Sequence, residues 1–481
     1  MFVIVSNRLP VAISKDESGA WQIKPGSGGL VTAIAPILQE QGGLWMGWPG
    51  CLEEEGLDEQ LVVAEKNTGY ILKPVMLTED EVEKYYYGFS NEILWPLFHD
   101  FHSRCNFNPE YWISYQKVNQ KFAQVIAENT GIEDFVWVHD YHLLLVAEAL
   151  RAMAAERQIG FFLHTPFPPL DIFKKLPWNR QILRALLEYD LIGFQTMHDR
   201  NNFINCVESM FKGWSVDARR QLSTIVRPER TNHVGVFPIS IDFNAFSRLA
   251  IDEVTLGRVT QLREFIPSGK IILGVDRMDY SKGIPLRLQA FYNALERFEE
   301  LRGKITLIQI STPSRKDIAE YQRLKVEVEG LVGDINGKFS EPGWTPVQYM
   351  YRNLERDELA AYYCAADIAL ITPLRDGMNL IAKEYCAANV ACSGVLILSE
   401  FAGAAAQLYK NALLVNPYDI EEVANTIYRA YNMSSDEREL RMRRLRNSIK
   451  SRDIFWWMDL FNRAVTNIGM NSLLHNPAKW R

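Results

Sequence analysis

The chain has 481 residues, of which 47% are hydrophobic and 23% are charged, and its formal net charge is −7. This length exceeds what one hydrophobic core accommodates, so we expect two domains. The negative net charge argues against a protein that binds nucleic acid by neutralising backbone phosphates, and any anion site must therefore be local.

The cysteines and apolar runs indicate the compartment. The 6 cysteines include no Cys-x-x-Cys pair, which favours reduced thiols over disulfides or a zinc site. The N-terminal apolar stretch is shorter than a secretory signal, and no uncharged run reaches membrane-spanning length. We expect a soluble cytoplasmic protein.

Ten short runs rich in Val, Ile, Leu and Phe predict β-strands. Because they lack polar alternation, helices should cover both faces of these strands. The intervening segments show helical periodicity, as at residues 355–366 and 421–433. This alternation predicts an α/β fold with doubly wound parallel sheets. The runs are residues 2–6, 135–139, 159–163, 191–195, 233–237, 271–275, 305–310, 368–372, 394–398 and 412–416.

A polar segment between residues 242 and 270 separates two series of strands. We therefore place a domain boundary near residue 243. In open parallel sheets, ligands bind beyond the carboxyl ends of strands, and two facing sheets make a cleft. The residues that directly follow strands are accordingly the candidates for chemistry.

The first strand ends in SNRLP, which places Arg8 at a strand end. A glycine-rich turn, PGSGGL at residues 25–30, then opens a predicted helix. Glycines let backbone N–H groups approach a ligand, and a helix N-terminus favours an anion. The turn matches no complete phosphate-loop motif, so a plain structural turn and a phosphate or sugar contact both stay open.

Polar side chains also follow two later strands of the first half. FVWVHDYH ends with His139, Asp140 and His142, but adjacent strand residues face opposite sides, which argues against a metal site. Asp140 is either a substrate contact or a structural hydrogen-bonding group. His164 ends the next strand, where a structural and a functional reading are equally open.

The first half is also dense in aromatic residues. Tyr86 and Trp95 lie in KYYYGFSNEILWP, and further tryptophans lie in LWMGWPG. Such residues are usually core, although sugar sites also use aromatic faces because the C–H surface of a pyranose is apolar.

In the second half, cations and a helix start follow the strands. KIILGVD runs directly into Arg277 and Lys282, and a later strand ends at Arg315. Asp376 lies in a tight turn before a helix that carries Glu384. Free N–H groups at that helix start are suited to anionic or hydroxyl oxygens, while Glu384 also fits a solvated helix position.

Together these motifs resemble the trehalose-6-phosphate synthase family of retaining glycosyltransferases with the GT-B fold. The resemblance covers about residues 2–460, with ten motifs in the family order. They are SNRLP, GSGGL, LWMGWPG, YYYGFSNEILWP, VWVHDYHLL, GFFLHTPFP, DRMDYSKG, INGKF with GWTPV, PLRDGMNLIAKEY and SEFAGAA.

The resemblance implies two Rossmann-like domains that face a central cleft. Residues 1–243 would bind the acceptor and residues 244–452 the nucleotide sugar, while a helix in residues 453–481 would return to the N-terminal domain. The apolar content of DIFWWMDLFNRAVTNI suits that return.

The resemblance also implies a donor site for UDP-glucose. Arg277 and Lys282 would bind the diphosphate, Asp376 the glucose hydroxyls and Glu384 the ribose. Backbone groups would complete the site, at the glycine-rich turn, at the uracil and at the helix start. These backbone positions are Gly28, Gly29, Leu354, Leu380, Ile381, Ala382 and Lys383.

His164 would contact the donor glucose, and with Arg277, Lys282 and Asp376 it completes the implied catalytic set. The glucose 6-phosphate pocket would consist of two arginines at the phosphate and three further residues. These are Arg8, Arg315, Tyr86, Trp95 and Asp140.

The family transfers glucose to glucose 6-phosphate with retention, giving α,α-trehalose 6-phosphate and UDP. Two fixed cations stabilise a diphosphate leaving group without proton transfer, so the resemblance implies no metal and no cofactor. Its front-face mechanism fits a sequence without an obvious carboxylate pair. We expect small-molecule partners, with a homo-oligomer open.

Three other functions compete with this interpretation. A glucosylglycerol-phosphate synthase would use glycerol 3-phosphate and often ADP-glucose, but SNRLP, YYYGFSN and Trp95 favour a hexose phosphate. A catalytically silent regulatory subunit would not be expected to keep Arg277, Lys282, Asp376 and Glu384 together. A nicotinamide-dependent dehydrogenase lacks its G-x-G-x-x-G motif.

Overall fold

The computed structural model of this chain describes residues 1–15, 19, 21–26, 29–52, 56–155, 157–217, 222–228, 230–266, 269–315 and 318–469. The chain divides into two compact units. The first contains Met1–Ile239 and resumes at Phe455, and the second is Ser240–Ile454. The expected boundaries after residue 243 and at residue 453 lie close to these divisions.

The first unit is built on a nine-stranded sheet in the order β5-β4-β1-β6-β7-β8-β11-β10-β9. It is parallel from β5 to β11, while β10 and β9 continue antiparallel. A separate hairpin pairs β2 with β3. The strands are β1 Phe2–Arg8, β2 Val11–Lys15, β3 Trp21–Pro25, β4 Leu44–Trp48, β5 Ile71–Pro74, β6 Phe135–His139, β7 Gln158–Phe162, β8 Leu191–Phe194, β9 Ser215–Asp217, β10 Leu222–Val226 and β11 Thr231–Val236.

Helices connect these strands. The connection after β5 is unusual because a π-helix, Val82–Leu94, continues directly from one short helix into another. The α-helices are α1 Gly29–Gln41, α2 Leu57–Thr68, α3 Glu79–Glu81, α4 Trp95–Phe98, α5 Pro109–Asn129, α6 Val146–Ala152, α7 Leu170–Phe173, α8 Asn179–Leu186 and α9 Met197–Met210.

The second unit contains a six-stranded sheet in the order β14-β13-β12-β15-β16-β17, and every neighbouring pair is parallel. Its strands are β12 Lys270–Arg277, β13 Ile305–Thr312, β14 Val347–Met350, β15 Ile368–Ile371, β16 Val395–Ser399 and β17 Leu413–Val415. Its helices are α10 Phe243–Leu249, α11 Glu253–Phe265, α12 Ile284–Arg297, α13 Ala319–Phe339, α14 Arg356–Ala365, α15 Leu380–Ala388, α16 Ala405–Leu408, α17 Ile420–Asn432 and α18 Ser435–Lys450.

The last helix, α19 (Ile454–Asn467), packs on the sheet of the first unit from Phe455 onward. Trp457 is fully buried, and its indole N–H donates to the Phe237 carbonyl at 2.9 Å. The ring of Phe461 stacks on that of Trp137 in β6, with centroids 4.0 Å apart. Apolar burial of this kind fixes α19 to the sheet of the first unit.

The predicted fold class is confirmed: both units contain parallel, doubly wound α/β sheets. All ten apolar runs form strands, and the periodic segments 355–366 and 421–433 form α14 and α17. The central strands are buried on both faces, as in β6 and β15, which explains their continuous hydrophobicity. Among the described residues, no helix combines the length and apolar character needed to cross a membrane.

Candidate active site

Arg8 ends β1 with its guanidinium against two aromatic rings. The guanidinium carbon lies 4.1 Å from the centre of the Trp48 ring and 5.7 Å from that of Tyr86, a cation–π arrangement. Gly50 has a φ of +96°, and a Cβ there would lie 1.8 Å from an Arg8 nitrogen. The cluster combines a cation with ring faces, which suits a ligand that has both an anionic group and an apolar surface.

The π-helix positions Tyr86 through its neighbours. The Tyr85 hydroxyl donates to Asn7 Oδ1 at 2.9 Å, beside Arg8 in β1. The amide of Asn91 donates to the Tyr86 carbonyl at 2.7 Å. π-Helical turns are rare and are frequently found at functional sites.

Trp95, the first residue of α4, is only 5% exposed. Its ring centroid lies 4.0 Å from that of His99 and 5.7 Å from that of Tyr141. The Tyr141 hydroxyl in turn donates to Asn91 Oδ1 at 3.0 Å. Trp95 therefore belongs to the buried aromatic layer that supports the π-helix, and its contact with an acceptor stays a prediction.

Asp140 and His164 follow the neighbouring strands β6 and β7. The His164 backbone N–H donates to the Asp140 carboxylate at 3.3 Å. Asp140 has a φ of 72° and a ψ of 169°, a conformation that costs a non-glycine residue on the order of 1–3 kcal/mol. Strain of this kind is concentrated at functional sites, so the backbone of Asp140 supports a functional reading of that residue.

His139, which is buried, pairs with His164, which is half-buried. His139 Nδ1 lies 3.1 Å from His164 Nε2. Burial lowers the pKa of His164 to about 3 and also lowers the pKa of His139. Both imidazoles are therefore neutral at pH 7, one nitrogen donates to the other, and His164 is suited to hydrogen bonding rather than to general-acid chemistry.

His139 and His142, two of the possible metal ligands at or just after the end of β6, each contact another ring. The ring of His142 stacks on that of Tyr86, with centroids 5.9 Å apart, while His139 pairs with His164. Within the described ranges, no group of three or more His, Cys, Asp and Glu residues is arranged to hold a metal ion.

The glycine-rich turn is described only in part. Gly29 is the first residue of α1 and is exposed, so its N–H lies at a helix N-terminus. Gly28 lies outside the described residues.

In the second unit, a lysine and a carboxylate from two loops meet. Lys282 ends a 3₁₀ turn, Tyr280–Lys282, that follows β12. Its Nζ donates to Asp376 Oδ2 at 2.6 Å, and both side chains are largely buried. Asn379 Nδ2 donates to the same oxygen at 3.1 Å. The ends of β12 and β15 are adjacent in the sheet, which is why these loops meet.

Asp279 links the second cation to this loop. Its carboxylate is fully buried, accepts from the Ser281 N–H at 3.0 Å, and lies 3.2 Å from Arg315 Nη1 and 3.9 Å from Arg277 Nη2. Burial raises the pKa of Asp279, but the charges of Arg315, Arg277 and Lys282 outweigh it and lower the value to about 2. The Asp279 carboxylate therefore links Arg277 and Arg315 to the main chain of the loop after β12.

The two predicted arginines of the second unit differ in exposure. The side chain of Arg277 is 46% exposed at the end of β12, whereas that of Arg315 is 6% exposed. Arg315 has a φ of 44° and also donates to the Tyr321 hydroxyl. The structure thus brings Arg277, Lys282, Asp376 and Arg315 into one unit. Asp279 pairs with the two arginines, and Asp376 pairs with Lys282.

The start of α15 presents backbone donors beside Asp376. Asn379, with a φ of 72°, caps this helix by accepting from the Ala382 N–H at 3.1 Å. The early N–H groups of a helix have no intrahelical acceptor, which makes Leu380 and Ile381 suitable for binding an anion. Lys383 is 1% exposed, and burial lowers its pKa to about 7.

Glu384 and Leu354 are the remaining residues that the sequence predicts to contact the donor. The Tyr363 hydroxyl donates to Glu384 Oε2 at 2.8 Å, and burial raises the pKa of this carboxyl group. Glu384 is therefore half-buried and hydrogen-bonded rather than a fully solvated helix residue. Leu354 is half-buried in the loop between β14 and α14.

Comparison with known proteins identifies the family. The model of glycosyltransferase family 20 matches residues 1–467. The chain belongs to this family. A trehalose-6-phosphate synthase from Mycobacterium avium (strain 104) is 42% identical over 475 residues, which cover 97% of this chain and 96% of that protein.

Solved structures of similar proteins agree with the family assignment. An α,α-trehalose-phosphate synthase (UDP-forming) from Burkholderia xenovorans, in complex with glucose-6-phosphate, is 35% identical with a TM-score of 0.86, covering 97% of this chain and 100% of that one. An E. coli protein bound with UDP-2-fluoro glucose is 35% identical with a TM-score of 0.85, covering 98% and 100%. The GT-B fold class of this family 20 glycosyltransferase is thereby confirmed.

Sequence reasoning missed several residues of this candidate site. Asp279 lies inside DRMDYSKG, where a carboxylate between the two cations Arg277 and Lys282 was the available signal. Trp48 lies inside LWMGWPG, but its cation–π contact is with Arg8 on the neighbouring strand β1, far away in sequence, and leaves no local pattern. Asn379 comes directly before the first residue of α15. This is the N-cap position, where asparagine is favoured, so the sequence could have indicated it.

Proposed function

We propose that this family 20 glycosyltransferase transfers glucose from UDP-glucose to glucose 6-phosphate, giving α,α-trehalose 6-phosphate and UDP. The observation that carries the proposal is similarity over 97% of the chain to a UDP-forming synthase solved with glucose-6-phosphate. The cationic loop after β12, with its Lys282–Asp376 pair, supplies the chemistry that such a transfer needs. Both substrates are small molecules.

We propose the following roles for the donor residues. Arg277 and Lys282 bind the diphosphate of UDP-glucose and stabilise the charge that develops as UDP leaves. The Lys282 ammonium has three donors, and Asp376 accepts from one of them, so up to two can serve phosphate oxygens. Asp376 and His164 bind hydroxyl groups of the glucose through hydrogen bonds.

The remaining donor contacts come from the backbone and from one buried carboxylate. We propose that Leu354 meets the uracil, that Glu384 binds the ribose, and that the start of α15 binds diphosphate oxygens. The backbone positions at that helix start are Leu380, Ile381, Ala382 and Lys383, and those at the glycine-rich turn are Gly28 and Gly29.

The acceptor is held by its phosphate and by ring contacts. We propose that Arg8 and Arg315 bind the phosphate of glucose 6-phosphate, since guanidinium groups bind phosphate through paired N–H donors. Tyr86, Trp95 and Asp140 complete the pocket for the sugar. The cation–π contacts that hold Arg8 support this role, because they fix its orientation before the acceptor arrives.

The reaction then exchanges bonds on one face of the donor glucose. The bond from its anomeric carbon to the diphosphate oxygen breaks, and a bond to the anomeric hydroxyl oxygen of glucose 6-phosphate forms on the same face. The proton of that hydroxyl passes to the leaving phosphate oxygen. This front-face route retains configuration without a covalent enzyme intermediate, so it needs no carboxylate nucleophile of the kind that retaining glycosidases use.

Initial rates with two acceptors and three donors test the proposal. We expect turnover to be fastest with UDP-glucose and glucose 6-phosphate, compared with ADP- or GDP-glucose and with glycerol 3-phosphate. The product should be a non-reducing disaccharide phosphate, because both anomeric carbons are in the new linkage. Preference for glycerol 3-phosphate, or no turnover by folded protein, would contradict the proposal.

We propose in addition that the reaction needs no metal ion or cofactor, because Arg277 and Lys282 supply the positive charge that a divalent cation supplies in other transferases. The initial rate with EDTA should therefore equal the rate without it. A rate that falls with EDTA and returns with excess Mg²⁺ or Mn²⁺ would contradict this. Calorimetric titration with UDP in both buffers controls for a change in donor binding.

A further inference from the structure

Arg287 lies in the first turn of α12, and its side chain is completely buried. Buried arginines are rare unless they are paired. None of the motifs that indicate the family site assigns a role to this residue, which lies five positions after Lys282.

The Arg287 guanidinium joins the ends of three neighbouring strands. Nε donates to Thr372 Oγ1 at 3.0 Å, directly after β15. Nη1 donates to Gln309 Oε1 on β13 at 3.0 Å and forms an ion pair with Asp276 on β12. These contacts fix the guanidinium plane at the carboxyl ends of β12, β13 and β15.

The same guanidinium contacts the loop that carries Lys282. Nη2 lies 3.4 Å from the Lys282 carbonyl oxygen. Gly283, with a φ of +65°, rests on the carbonyl of Thr372, because a Cβ there would lie 2.6 Å from that oxygen. The Leu374 N–H donates to the Ser281 carbonyl at 2.8 Å. The loop after β12 and the loop after β15 are therefore held together above Arg287.

The sheet leaves space for this group. A Cβ at Gly274 would lie 2.5 Å from Gln309 Oε1 and 2.8 Å from Arg287 Nη1. Gly274 is paired with Gln309 in the register of β12 and β13. Only a glycine at this point of β12 lets the guanidinium and the amide lie against the strand.

Stability alone is a weak reason for such a pair. Removing two charges from water costs about as much as their attraction returns, so buried ion pairs are often no more stabilising than apolar residues of similar volume. The effect on geometry is specific, since the contacts of one rigid guanidinium group define the positions of the loops after β12 and β15.

We propose that Arg287 is a positioning residue that sets the place of Lys282 relative to Asp376 and so to the donor diphosphate. This inference rests on the proposed function. The Arg287 guanidinium fixes the main chain at Lys282. The short side-chain contact with Asp376, at 2.6 Å, then directs the Lys282 ammonium group. Displacement of such a group by a fraction of an ångström lowers turnover because the charge it stabilises develops at one place.

The test replaces the ion pair by apolar residues of similar size, Arg287→Met with Asp276→Leu. We expect kcat to fall about tenfold or more and the Kd for UDP to rise about tenfold, while the KM for glucose 6-phosphate changes by less than about twofold. Thr372→Val, which removes only the Nε hydrogen bond, should change kcat and the UDP affinity in the same direction by about two- to fivefold.

The matched control is the pair Arg263–Asp367, 2.9 Å apart in the same unit at the opposite end of β12. Arg263→Met with Asp367→Leu should lower the Tm without changing the UDP affinity. A folded Arg287→Met/Asp276→Leu variant with wild-type kcat and UDP affinity would overturn the proposal.

If the double variant does not fold, the Thr372→Val variant alone tests the proposal. Unchanged kcat and UDP affinity in that variant would overturn it. Turnover by the wild-type protein in the same assay distinguishes a failure of the proposed function from a failure of the proposed role of Arg287. Wild-type protein without turnover refutes the proposed function, whereas the UDP titrations still test the positioning of Lys282.

Discussion

Lys282→Ala should lower kcat by about 10²–10³-fold while the protein stays folded. Loss of one preorganised donor at a developing anion has an effect of this size, and Lys282 is one of the two cations proposed at the diphosphate. Its side chain is 11% exposed and pairs with Asp376 at 2.6 Å, so some loss of stability accompanies the loss of turnover. The measurement is kcat with saturating substrates, with the Tm recorded for each variant.

The control for Lys282→Ala is Lys338→Ala, which removes an exposed lysine paired with Glu296 in the same unit and should leave kcat unchanged. Lys282→Arg separates charge from position, because it keeps a cation for Asp376 but places the charge on a differently shaped group. A Lys282→Ala protein that unfolds would assign the lysine a structural role. A folded one with more than about a tenth of wild-type kcat would exclude it from the catalytic set.

Arg8→Ala should lower kcat/KM for glucose 6-phosphate by about 10²-fold or more, with little change in the Kd for UDP. The reason is the loss of a paired, charge-assisted contact with the acceptor phosphate. Slow hydrolysis of UDP-glucose should persist, because the donor residues are unchanged. The measurements are steady-state rates against acceptor concentration and calorimetric titration with UDP.

Glucose as an alternative acceptor sharpens the Arg8 test. If Arg8 contacts the phosphate, Arg8→Ala should reduce the preference for glucose 6-phosphate over glucose, whereas a general structural loss would lower both rates alike. Arg184→Ala is the matched control, since Arg184 is also exposed and lies 5.8 Å from an aromatic ring centroid, that of Phe211. Equal losses in UDP binding and acceptor turnover would contradict the assignment of Arg8.

The strands of both units were readable because burial on two faces leaves a local signature. The runs at residues 135–139 and 368–372 are apolar throughout, and both became central parallel strands. Strands β4 and β14 were missed for a related reason. The LWMGW segment is short and aromatic, and VQYM is a partly exposed edge strand, so neither has the aliphatic run that marks a central strand.

The candidate site was predictable only in part. Residues after strands, such as Arg277 and Asp376, could be selected because parallel sheets bind ligands at the carboxyl ends of their strands. The residues that contact Arg277 and Asp376 and hold them in place could not be predicted in the same way. Asp279 was overlooked although it lies within the same motif, because its role depends on Arg315, 36 positions away.

The sequence by itself determined the α/β class, the order of most strands along the chain and, through its motifs, the family. These depend on local periodicity and on residue types at fixed spacing. Only the tertiary structure decided that His139 pairs with His164, that Tyr85 of the π-helix bonds to Asn7, and that Arg287 joins Gln309 to Thr372. Each of these depends on groups far apart in sequence but adjacent in space, and hydrogen-bond geometry between such groups follows from packing rather than from any local pattern.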